Sequence, residues 1–169
     1  FTLQYELCYT NVLNMLELSG IPLFSSERGE DDPIIVGGGP CAYNAEPIAD
    51  YFDVFSIGEG EDALVEMTRL YISMKESGEY TRKEYLHRLA RIPGFYVPSL
   101  YTVEYNSDGT VKSYTPVYDD IPVRVLKRIM PDMDKSYFPD RLVMPYIETV
   151  HDRVTMEVFR GAAASVRRG

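Results

Sequence analysis

The order of apolar segments predicts a doubly wound α/β fold on a parallel sheet, followed by a β-hairpin and an extended connector. Three observations carry this reading. Two short apolar runs, Ile34-Ile35-Val36 and Val54-Phe55-Ser56-Ile57, are each closed by glycine, as buried parallel strands are. Helical periodicity fills the segments before, between and after them. From Pro93 the pattern changes to two alternating runs about an Asp-Gly turn, then to a stretch punctuated by proline.

Phe1-Thr2-Leu3 is an apolar tripeptide of β type, so the chain reads as entered in mid-strand. Residues 5–19 follow as a helix, with Cys8, Val12, Met15 and Leu16 at helical spacing and Gly20 where a glycine ends one. Polar residues 25–32 form a loop, and the first buried strand begins after Pro33. Residues 46–52 are one or two helical turns, and the second strand ends at Gly58.

The clearest helix covers residues 61–75. Ala63, Leu64, Met67, Leu70, Tyr71 and Met74 make its apolar stripe, and acids crowd its first turn, where the helix dipole favours them. Thr81 with Glu84 forms a capping box that opens a helix to Ile92. Alternating strands and helices with short crossovers give right-handed parallel connections. Residues 101–105 and 111–114 flank Asn106-Ser107-Asp108-Gly109 as a hairpin. Prolines 116, 122, 131, 139 and 145 mark the connector, and residues 154–159 read as a last strand. The small-residue run 162–169 is unlike anything before it and reads as a non-native tail.

Composition excludes several classes. A formal charge of −9 with scattered Lys and Arg argues against nucleic acid, whose phosphates demand clustered cations. No run approaches the ~20 apolar residues of a membrane helix, and no signal-peptide pattern opens the chain. The expectation is a cytoplasmic protein with no DNA and no membrane partner. Cys8 and Cys41 are far apart and read as free buried thiols. His87 and His151 are isolated and make no metal site.

Chemistry gathers at the glycines. Gly37-Gly38-Gly39-Pro40 follows a buried strand, at the sheet edge where open α/β folds bind ligands. Bare N–H groups there either approach a phosphate or nucleotide tail, or serve only the turn's own geometry. Gly58-Glu59-Gly60-Glu61 repeats the arrangement after the next strand, with ligand contact and helix capping both open. Glu59 and Glu61 have no nucleophile or base nearby in sequence, which disfavours acid–base catalysis. Tyr5, Tyr9 and Tyr43 stand out among fourteen tyrosines, because loops at this edge place aromatic faces where a planar cofactor would lie.

Taken as a pair, the strand ending Gly-Gly-Gly-Pro and the strand ending Gly-Glu-Gly-Glu resemble the Rossmann-like, cobalamin-binding-type domain of radical S-adenosylmethionine (SAM) proteins. Residues 1–7, 9–16, 26–31, 94–101 and 151–161 are similar to a bacterial group of uncharacterised radical SAM Fe–S oxidoreductases, so the resemblance spans residues 1–161. It implies that residues 1–92 are the C-terminal portion of such an α/β domain and 93–153 its hairpin and connector. Residues 154–161 would then be the first strand leading to an absent catalytic barrel.

In that group Phe-Arg-Gly leads into CxxxCxxC, whose thiolates hold a [4Fe–4S] cluster that cleaves SAM. The corresponding positions here are Ala162, Val166 and Gly169, so this stretch holds no cluster and the fragment is expected to be inactive. The motif carrying cobalt's axial histidine would fall before Phe1. The resemblance assigns cofactor contact to Gly37, Gly38, Gly39, Pro40, Gly58, Glu59, Gly60 and Thr2, with no catalytic and no metal residue. It implies a full-length parent that uses the cluster and SAM, with cobalamin as an optional further cofactor. The fragment would be its cofactor-binding or substrate-gating module, or a non-catalytic structural domain that keeps the fold without cobalamin. Its partner would be its own barrel domain, with homo-oligomers as a second association. A free-standing response-regulator-like or flavodoxin-like domain does not fit, because the leading strands are missing and the chain runs on into a connector.

Overall fold

A computed structural model describes residues 1–137, 139, 141, 147–148 and 150. Two compact units divide the chain, Phe1–Ile129 and Met130–Gly169. In the second, a 3-10 turn spans Met133–Lys135. The strand expected at 154–159, His151 and the tail 162–169 lie outside the described residues.

The first unit is built on a small sheet. Strands β1 (Val36–Gly37) and β2 (Val54–Ser56) run parallel, with Val36 opposite Val54 and Gly37 opposite Phe55. Thr2 adds a parallel bridge to Gly38 on the outer side of β1, so the opening tripeptide is strand-like as expected. The ordered part of β1 is shorter than the apolar run. Pro33 has no N–H to donate, and the Ile35 N–H goes to the Asp53 carboxylate at 2.7 Å rather than to a strand.

Helix α1 (Tyr9–Leu18) follows a 3-10 turn at Glu6–Cys8 and buries Val12 and Leu16. Leu7 on the turn and Met15 and Leu18 on the helix remain exposed. Helix α2 (Glu61–Ser77) carries Glu61 and Asp62 in its first turn and ends at Gly78, where the Glu79 N–H returns to the Met74 carbonyl. Helix α3 (Arg82–Ala90) forms one half of the expected capping box, the Glu84 N–H donating to Thr81 Oγ1 at 3.1 Å. The Glu84 carboxylate accepts from Arg88 Nε at 2.7 Å.

The all-parallel expectation needs correction. Strand β3 (Phe95–Tyr96) pairs antiparallel to β2, with Phe55 opposite Tyr96 and Ser56 opposite Phe95, so the sheet is mixed. The cause is the number of helices between the strands. One crossover helix returns the chain to the end it left and makes a parallel neighbour. Here α2 and α3 pack on each other through the short 78–81 joint, and the second helix carries the chain back to the opposite end. The hairpin is as expected: β4 (Tyr101–Tyr105) and β5 (Val111–Pro116) pair antiparallel about the Asp-Gly turn.

Phe52, Val54, Phe55, Leu89, Phe95 and Val97 form the centre of the core, with Leu3, Leu16 and Met74. Beside it lies a buried charge cluster that joins three segments. Asp53 Oδ2 accepts from Arg28 at 3.0 Å and is ion-paired with Arg82 at 2.8 Å. The two guanidiniums also donate to the carbonyls of Pro22, Leu23, Tyr51, Gly29, Asp32 and Pro33. A loop that reads as merely polar is therefore tied to the core by charge-assisted bonds. No helix among the described residues is long and apolar enough to cross a membrane.

Candidate functional site

The parallel pairing of β1 and β2 brings both glycine turns to the same end of the sheet, because Gly37 closes one strand and Gly58 follows the other. What surrounds each glycine decides what it can contact. A Cβ on Gly37 would lie 2.8 Å from the Phe55 ring and 3.0 Å from Phe52. Gly38 donates its N–H to the Phe1 carbonyl and accepts from Leu3. At Gly39, φ is +96° and a Cβ would sit 2.9 Å from the Leu3 carbonyl oxygen. Pro40 opens a 3-10 turn in which the Cys41 N–H goes to Leu3 and the Ala42 N–H to Gly39. Thr2 is exposed and lies beside Gly38.

The second turn is engaged in the same way. Gly58 has φ +106°, and a Cβ there would overlap the carbonyl oxygen of Arg128. The Glu59 N–H donates to that carbonyl at 3.0 Å, while Arg128 N–H donates to Ile57 at 2.8 Å. Gly60 is the N-cap of α2. The guanidinium of Arg128 pairs with Glu66. Gly37, Gly39 and Gly58 thus make room for other parts of this chain.

A cleft of about 450 Å³ opens next to these turns. Ala42, Tyr43 and Ala45 from the turn after Gly39 form one side, Ile57 the floor, and Tyr96, Tyr101 and Tyr114 a wall. Residues 123–127 close the remaining side. Tyr43 was singled out in the sequence and lines the cleft. Tyr5 is exposed and outside it, and the Tyr9 hydroxyl is buried.

The wall is organised by one carboxylate. Glu46 Oε1 accepts from the Tyr96 hydroxyl at 2.5 Å and Oε2 from the Tyr105 hydroxyl at 3.0 Å. Tyr96 and Tyr101 lie 5.2 Å apart between ring centres, and Tyr101 donates to the Pro122 carbonyl at 2.8 Å. Burial, then the Glu46 carboxylate, pushes the Tyr114 phenol up to about 12. The same causes raise Tyr96, and the hydrogen bond to Glu46 raises Tyr105. These phenols stay neutral at physiological pH and act as hydrogen-bond groups rather than as bases.

Sequence reading missed the Glu46 cluster, since its tyrosines lie 50 to 68 residues further along the chain. The usable signal was Tyr96, Tyr101, Tyr105 and Tyr114 alternating through a strand and hairpin that follow a parallel sheet.

The implied cofactors can be tested against these residues. An Fe–S cluster needs three thiolates, and this chain has only Cys8 and Cys41. No group of three His, Cys, Asp or Glu suited to a metal occurs among the described residues. A nucleotide tail needs free N–H groups at the glycine turn, and those of Gly38, Cys41 and Ala42 are already bonded within the chain. The first glycine turn therefore fits such a tail poorly.

An α/β module with ligand-sized space at the carboxyl ends of its parallel strands is the class this geometry defines. Residues 1–98 match the family model described as radical SAM proteins, N-terminal, and the chain belongs to that family. An uncharacterized protein of Methanocaldococcus jannaschii is 33% identical over 82 residues, covering 48% of this chain and 17% of that protein. The chain thus spans about a sixth of that relative's length. No solved structure matches.

Proposed function

We propose that this chain is the accessory module of a radical SAM enzyme, and that it turns its tyrosine-walled cleft toward the rest of that enzyme to gate a substrate. One observation carries the reading. The cleft lies at the carboxyl ends of β1 and β2, where α/β sheets gather ligands, and its rim is apolar and open. Val123 is 68% exposed and Leu126 69%, and both line the cleft with the exposed Tyr43. Contiguous exposed apolar residues mark an interaction surface.

The partner on this reading is the protein's own radical SAM barrel, with self-association at the Phe1–Leu3 edge as the lesser alternative. The barrel's cluster would supply the reductive cleavage of SAM. This chain's residues would exclude water and orient what enters. Amide exchange tests the reading. Residues 123–127 should exchange at least ten-fold more slowly in a longer protein that includes the barrel than in the 169-residue chain. Equal rates in the two would refute the docking.

Cobalamin contact at Gly37, Gly38, Gly39, Pro40, Gly58, Glu59, Gly60 and Thr2 is the second reading. What favours it is that an added Cβ would meet only ordinary contacts at Gly38 and Gly60, with the nearest atoms at 3.8 Å and 3.5 Å, and not the overlap found at Gly37, Gly39 and Gly58. Hydroxocobalamin titrated into the longer protein separates the readings. The gating reading predicts an unchanged corrinoid spectrum, and a saturable shift would favour the second.

A further inference from the structure

A second cavity, of about 600 Å³, lies on the other side of the Tyr96–Tyr101 wall. Its charged lining groups are Glu46 and Asp50, and no Lys, Arg or His lines it. Neither acid makes an ion pair among the described residues. Phe24 and Tyr105 provide aromatic faces at its mouth, both exposed.

The hydrogen bonds fix what this cavity offers. The hydroxyl protons of Tyr96 and Tyr105 are both directed at Glu46, one to each oxygen. Both phenol oxygens therefore remain as acceptors, and the Glu46 carboxylate, with about four lone-pair sites shared among its tyrosine neighbours, keeps acceptor capacity. A ligand entering meets negative charge, acceptors and ring faces, so it must bring N–H donors and positive charge. A divalent metal is disfavoured, since no third His, Cys, Asp or Glu joins the two carboxylates into a group suited to one among the described residues. An anion would face Glu46 and Asp50 with no cation to offset them.

We propose that this cavity binds an organic monocation, a protonated primary amine or guanidinium, with its N–H groups on Glu46 and its apolar body between Phe24 and Tyr105. Aromatic faces favour cations, and a charge-assisted bond to an oriented carboxylate adds direction. The cation is either a free small molecule or a Lys or Arg side chain of a polypeptide. The proposal does not rest on the radical SAM reading, and its failure would leave the exchange test at residues 123–127 untouched.

The test is a titration of the 169-residue chain with n-butylammonium chloride, followed by assigned aromatic ring resonances, with sodium chloride at matched ionic strength as control. Saturable shifts at Phe24 and Tyr105 are expected, with half-saturation on the order of 1 mM. Glu46→Gln should weaken binding about ten-fold. The exposed Asp50→Asn, which should leave the fold intact, should weaken it about three-fold. A capped lysine that binds more tightly than n-butylammonium assigns the source to a polypeptide side chain, and the reverse assigns it to a small amine. Both outcomes keep the cation site. Shifts reproduced by sodium chloride, no saturable shift, or unchanged binding in Asp50→Asn together with a folded Glu46→Gln would overturn it. If Glu46→Gln does not fold, Asp50→Asn alone decides, and unchanged binding in it overturns the proposal.

Discussion

Two regions of the first unit come from opposite kinds of sequence signal. The glycine turns after β1 and β2 are compact, conspicuous motifs, whereas the tyrosines around Glu46 are scattered from residue 96 to residue 114. In the fold their roles are reversed. Gly37, Gly39 and Gly58 let Phe55, Leu3 and Arg128 approach the backbone, so their missing side chains serve the chain's own packing. The scattered tyrosines gather into a wall shared by two cavities. A glycine motif reports that something comes close, and only the fold says whether that something is a ligand or the protein itself.

The comparison can be broken most forcefully at the support beneath both regions. Asp53→Asn leaves Arg28 and Arg82 buried with no carboxylate between them, and should cost about 3–5 kcal/mol of stability. Urea unfolding followed by circular dichroism measures it. A loss under 1 kcal/mol would mean that the backbone carbonyls alone hold both guanidiniums.

Gly58→Ala sharpens the glycine side. Strain at φ +106° costs of order 1–3 kcal/mol, and the added Cβ must displace the Arg128 backbone. Limited proteolysis should then cut between residues 121 and 129 much faster than in the unaltered chain. An unchanged cleavage rate would show that the connector does not depend on this glycine.

The tyrosine side has a pH signature. Tyr114 has its folded value raised from 10 to about 12, so the folded state holds its proton longer than the unfolded chain does. That contribution is complete below pH 10 and is lost as pH rises through about 12. Tyrosinate absorbance near 295 nm should show late-titrating phenols, and Glu46→Gln should bring Tyr114 back toward its ordinary value. A titration curve identical to that of the unaltered chain would remove Glu46 from the cluster.

The smallest effect is expected at a local cap. Thr81→Ala deprives the Glu84 N–H of its acceptor and should cost about 1 kcal/mol in the same unfolding experiment.

Local chemistry explains what could be read in advance. Helices α1, α2 and α3, the Thr81 cap and the β4–β5 hairpin depend on residues within a few positions of one another, and periodicity and turn chemistry exposed them. The parallel pairing of Val36 with Val54 followed from two glycine-closed apolar runs. The direction of β3 did not follow, because it depends on α2 and α3 packing as a pair before the chain returns. Arg28, Asp53 and Arg82 lie 25 and 29 residues apart in sequence, and nothing local marks their convergence on one oxygen. Glu46 was read only as part of a helical turn, since its partners arrive with β3 and the hairpin.

The most direct test of the packing role of the glycines is Gly37→Ala, measured as the urea midpoint of the chain with no cofactor present. Gly37 lies in β1 outside the positive-φ glycines, so backbone strain does not enter and only the contact with Phe55 and Phe52 is probed. Overpacking of this kind costs about 1–3 kcal/mol, and the account predicts a midpoint lowered accordingly. An unchanged midpoint would contradict it, returning Gly37 to the role of an open floor held ready for a ligand.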